Sequence, residues 1–215
     1  MDLPIPLHFN KKTFILLFIG FIVFALAGTL LHELGHFLTG RLLGYKGQHI
    51  SYAYTSMGYK PGILPETDEW NRDQLLFIIG GPLQTMATGT IGFLLLCLFC
   101  ANSVYQKNLR IEQWLLIFLS LFWLRELFNF VCAATIAVAG AYKYTGDEFK
   151  IARQLHWNGW WFSALLALIA LVVLVVITFK FVPVQQRFTF LTAGLTGGIA
   201  GAVLWLVLLG PVIMP

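Results

Sequence analysis

Long apolar runs leave this chain few ways to fold. Residues 14–31 carry no charged side chain, and apolar stretches of similar length recur at about 75–101, 112–141, 160–182 and 189–212. A segment surrounded by hydrocarbon has no water to satisfy its backbone N–H and C=O groups, and a run of about twenty apolar residues meets that demand as a helix. Composition points the same way: 58% of residues are hydrophobic and 11% charged, far from the balance of a soluble domain. The expected architecture is an all-α polytopic protein, integral to the membrane and multi-pass. It has about five transmembrane helices and a short β-hairpin-like loop after the first. A chain of 215 residues leaves no room for a sizeable soluble domain, so one domain is expected over 1–215, with a core at 14–155 and accessory helices at 156–215.

The net charge of +4 comes from Lys and Arg scattered near helix ends, not from a basic block. That distribution suits anchoring at the bilayer surface and argues against a nucleic-acid partner. Cys97, Cys100 and Cys132 all fall in apolar stretches, where a small buried hydrophobe is the ordinary role. The first apolar run follows Lys11 and Lys12 but is too long for a signal peptide, so it is expected to persist in the mature protein.

That run ends in His32-Glu33-Leu34-Gly35-His36. On a helix the two histidines project from one face a turn apart, a spacing that lets both imidazoles bind one zinc ion. Glu33 lies beside them, where a carboxylate can take a proton from water acidified by the metal. The same row, read in fours, runs Gly28, His32, His36, Gly40, Gly44, so a second helix can approach closely. One Zn2+ per chain is the expected cofactor. His8, His49 and His156 lack a helical partner and are expected to be non-ligands.

Other polar features fall near the same depth. Residues 44–73 suggest a hairpin, with alternation around His49 to Tyr54 and a turn-like stretch from Met57 to Gly62; it is either a plain connection or an edge strand beside the metal. Gly80-Gly81-Pro82 is expected to interrupt the second span and bring Gln84 or Thr85 near the metal as hydrogen-bond donors. The third span carries Arg125, Glu126 and Asn129 near its middle, where charges tend to face a cavity or a partner. Asp147 is expected to cap a short amphipathic helix. Gly194, Gly197, Gly198 and Gly201 read as packing positions. With antiparallel spans, the HELGH motif, Gly81-Pro82 and Asn129 lie toward one membrane face.

On these residues the chain resembles the site-2 protease family of intramembrane zinc metalloproteases. HELGH looks like the family's HExxH, and Gly81-Pro82 like its glycine-proline motif, with Thr85 where an Asn is usual. Asn129 and Asp147 look like the Asn and the zinc-binding Asp of its third element, although no proline stands between them here. The resemblance implies a divergent short form without an appended regulatory domain. Zinc would be held by His32, His36 and Asp147, and Glu33 would serve as general base and acid. Gly81, Pro82, Thr85 and Asn129 would support the substrate and transition state. The implied partner is a membrane-protein substrate, a spanning helix unwound where it is cut. Two alternatives stay open. Depth alone favours Glu126 as the third ligand, and the chain can instead be a metal-binding membrane protein without peptidase activity, such as a transporter, a scaffold or an inactive relative. A homo-oligomer is compatible with either.

Overall fold

The computed structural model describes residues 5–140 and 146–215. It is an all-α polytopic protein with, among the described residues, five helices long and apolar enough to cross a membrane and one small hairpin after the first. The first span is α1, Lys11–Leu42. Asn10 starts it by accepting a hydrogen bond from the Thr13 amide at 3.0 Å, and Arg41 sits in the last turn, where a cation meets the negative end of the helix dipole. At 1.5 Å per residue this helix is about 48 Å long, more than the roughly 30 Å of hydrocarbon in a bilayer.

The hairpin follows. β1, His49–Ile50, pairs antiparallel with β2, Thr55–Ser56, in the register His49↔Ser56 and Ile50↔Thr55. The reversal falls at residues 51–54, closed by the Ser51 amide on the Tyr54 carbonyl at 2.8 Å, and not at Met57 to Gly62 as the turn-like composition suggests. Gly58 does need its glycine: it lies at φ +77°, and a side chain there would strike the Lys46 carbonyl.

α2, Asp68–Phe99, is capped by Thr67 and opens with Asp68 and Glu69 in its first turn. It runs unbroken through Pro82, so the expected interruption at Gly80-Gly81-Pro82 is not there. The glycines serve close approach instead. A Cβ on Gly35 would lie 2.7 Å from the Gln84 Cβ, and one on Gly80 would lie 2.8 Å from the Gly35 carbonyl oxygen. Small residues on both helices thus bring α1 and α2 almost backbone to backbone.

The third span, by contrast, is not one uniform helix. α3, Ile111–Ser120, passes through a 3₁₀ turn at Leu121–Trp123 into α4, Leu124–Val138. Gly89 and Gly92 of α2 pack against Trp123, Leu119 and Ser120 at that turn. The expected end at Ala141 lies outside the described residues. Beyond it, α5, Asp147–Gln154, returns toward the HELGH motif, and α6, Gly159–Lys180, is the fourth span. The fifth begins at Val184 and contains α7, Arg187–Val203, a π-helical stretch at Leu204–Leu209 and α8, Gly210–Ile213.

α1 is held between α2 and α7. Gly197 and Gly201 of α7 lie against the backbone of Phe18 and Ile22, as their spacing suggests. On another side, Phe21 and Phe24 meet Phe118 with ring centroids 5.0 and 4.5 Å apart. This aromatic layer fixes the rotation of α1 and hence the direction in which its histidines point.

Candidate metal centre

His32, Glu33 and His36 are buried in α1. The Asp147 carboxylate reaches both imidazoles: Oδ2 lies 3.0 Å from His32 Nε2 and 3.1 Å from His36 Nε2, and the two nitrogens are 3.2 Å apart. These three side chains form a group that could hold a metal ion. Zinc bonds of about 2.0–2.1 Å in tetrahedral geometry require donors roughly 3.3 Å apart, so the triangle is close to one face of such a site. Two imidazoles and a carboxylate also leave a fourth position, as catalytic zinc sites do. The donor set therefore fits the ion expected from HELGH.

The far sides of both rings determine which nitrogen faces the triangle. His36 Nδ1 lies 2.8 Å from the Phe77 carbonyl, which can only accept, so Nδ1 carries the proton and Nε2 presents a lone pair. His32 Nδ1 lies 3.0 Å from Thr85 Oγ1, whose own proton goes to the Gly81 carbonyl at 3.1 Å. The Thr85 oxygen thus accepts from His32, and the same tautomer results. Such outer hydrogen bonds orient metal-binding imidazoles and raise their basicity. α2 supplies both partners, which explains why its glycines matter: a Cβ on Gly81 would touch His36 Nε2 and come within 2.6 Å of His32 Nε2. Pro82 is buried in the same turn, whereas Gln84 donates to Thr88 at 2.9 Å instead of to the centre.

Asp147 is the first residue of α5 and Gly146 is the cap, so the expected capping role passes to its neighbour. The position still suits a carboxylate, because a helix N-terminus favours negative charge. Lys150, one turn on, donates to Asp147 Oδ1 at 3.1 Å and leaves Oδ2 for the histidines.

Glu126 is buried on α4, but it is Asp147 that completes the group with the histidines. Its neighbouring charged groups are Glu148, Arg125 and Asp147, so two buried carboxyl groups, Glu126 and Glu148, lie side by side. Asn129 does not reach the donors; it donates to Glu148 Oε1 at 2.8 Å. His49 is exposed on β1.

Sequence reasoning missed Thr55. Its hydroxyl lies 3.0 Å from both the Glu33 carbonyl and Glu33 Oε2, so a strand of the hairpin touches the motif's carboxylate. Nothing local in the sequence marks that residue. Lys150 was also missed, although its spacing of three from Asp147 on a helix is a usable signal. Comparison of the chain with family models, with curated proteins and with solved structures finds no match.

Proposed function

We propose that the chain is a zinc-dependent intramembrane endopeptidase of the site-2 protease kind, which hydrolyses peptide bonds in membrane-spanning substrates. The observation that carries this reading is the convergence of His32 Nε2, His36 Nε2 and Asp147 Oδ2 within 3.2 Å of one another, with Glu33 next to His32 in the same helix. Zinc held there would supply a Lewis acid that makes water acidic near neutral pH and polarises a carbonyl.

The chain's own residues supply the rest. His32 and His36 offer Nε2 lone pairs because their Nδ1–H groups donate to Thr85 and to the Phe77 carbonyl. Glu33 takes a proton from water as the water oxygen bonds to the scissile carbonyl carbon. It then delivers that proton to the amide nitrogen as the C–N bond breaks. A peptide bond inside an intact helix has its carbonyl engaged and its backbone wrapped by side chains, so a substrate helix must unwind at the point of cleavage.

A second reading, a metal-binding membrane protein without peptidase activity, draws on the near-complete burial of His32 and Glu33, 0% and 2% exposed. One assay separates the two. The purified chain in lipid nanodiscs is loaded with zinc and given a quenched fluorescent peptide whose single apolar span contains an Asn-Gly break. The protease reading expects cleavage that stops on chelation and returns with added zinc. A zinc-loaded chain that leaves the peptide intact, or cleavage that survives chelation, would overturn it.

A further inference from the structure

The hairpin is tied at both ends to helices far apart in sequence. At one end Thr55 of β2 donates to Glu33, 3.0 Å from Oε2. At the other, the reversal at residues 51–54 is fastened to the fifth span by three hydrogen bonds. The Tyr52 amide donates to the Met214 carbonyl at 3.0 Å, Ser51 Oγ donates to the same carbonyl at 3.1 Å, and Trp205 Nε1 donates to the Tyr52 carbonyl at 2.9 Å. Ser51 and Trp205 are both buried. Gly210 lets the Tyr52 side chain seat, because a Cβ there would lie 2.7 Å from the Tyr52 Cβ.

The backbone of the fifth span is adapted to this contact. Residues 204–209 are π-helical, a rare form frequent at functional sites, and Trp205 lies within it. A two-residue-per-strand hairpin has too few ladder bonds to hold its own shape, so its position depends on these outside ties.

We infer that Thr55 is a positioning residue for Glu33, and that Trp205 and Met214 hold Thr55 in place by strapping the hairpin to the fifth span. This inference rests on the proposed function for its catalytic consequence. A carboxylate on a flexible side chain samples several rotamers, and a hydroxyl held 3.0 Å from both Oε2 and the Glu33 backbone carbonyl favours the one that faces the hairpin. The strap also makes the fifth span part of the catalytic apparatus, although it contributes no group to the metal centre.

The test uses the full chain in nanodiscs, with Thr55→Val, Thr55→Ser and Trp205→Phe beside wild type. Hydrogen exchange at the amides of residues 50–56 and cleavage of the quenched spanning peptide are both measured, and zinc content reports on folding. Exchange in Trp205→Phe should quicken roughly fivefold, the effect of one lost hydrogen bond. In Thr55→Val, kcat should fall on the order of tenfold to a hundredfold with little change in KM and with zinc retained. Thr55→Ser, which keeps the hydroxyl, should restore most of the rate. Unchanged exchange in Trp205→Phe, or full kcat in Thr55→Val, would overturn the inference while leaving the protease reading intact. A wild-type chain that cleaves nothing would instead bring down the protease reading, with exchange still deciding whether the strap exists.

Discussion

Asn129 on α4 donates a 2.8 Å hydrogen bond to Glu148, the residue that follows Asp147. The bond joins the third span to the start of α5 and so fixes where the Asp147 carboxylate can reach. Glu148 is buried beside a second buried carboxyl, Glu126. Asn129→Ala should therefore leave a buried carboxyl unsatisfied and cost about 1–3 kcal/mol. It should also loosen zinc on the order of tenfold, as loss of outer support does in metal sites. A competition titration with a chromogenic chelator measures this, and unchanged affinity would show that α5 is held by other contacts.

Gly81→Ala tests the close approach of α2. The added methyl would fall on the Nε2 atoms of His36 and His32, so zinc should be lost and stability lowered by about 1–3 kcal/mol. Gly198→Ala on α7 is the matched control, because its Cβ would meet no atom within 4 Å. Zinc content of the two purified variants decides the point. Equal zinc in both would mean that α1 and α2 are not packed as closely as their glycines indicate.

The two candidate third ligands behave oppositely in this account. Asp147→Ala should empty the site, since two protein ligands rarely hold zinc, whereas Glu126→Ala should keep it. Glu126 lies 1% exposed beside the buried Glu148, and two carboxyl groups crowded in one buried place cost stability. Glu126→Gln should accordingly raise the unfolding temperature while zinc remains bound. Zinc analysis and thermal unfolding of the three variants give the answer, and loss of zinc in Glu126→Ala with retention in Asp147→Ala would reverse the assignment.

What was legible in the sequence depended on periodicity. Apolar runs marked the spans, and a spacing of four placed His32 and His36 on one face, because both signals are local and set by helix geometry. What was not legible depended on partners distant in the chain. Pro82 looks like a break, yet α2 continues through it because Gly80 and Gly81 let α1 pack closely on that turn. The hairpin turns at residues 51–54, ahead of the turn-like stretch at 57–62, with residues 51 and 52 fastened to Met214. Depth alone favoured Glu126, yet Asp147 is the carboxylate that α5 brings back to the histidines. Thr55 carried no mark at all.

The account stands most directly on Glu33. Glu33→Gln keeps the shape of the side chain and leaves His32, His36 and Asp147 untouched, so it separates holding the metal from using it. The decisive measurement is zinc per chain and peptide cleavage on the same purified samples of wild type and Glu33→Gln in nanodiscs. The account predicts equal zinc in both and a loss of cleavage of about a hundredfold or more in the variant. Cleavage retained by Glu33→Gln at equal zinc would contradict it.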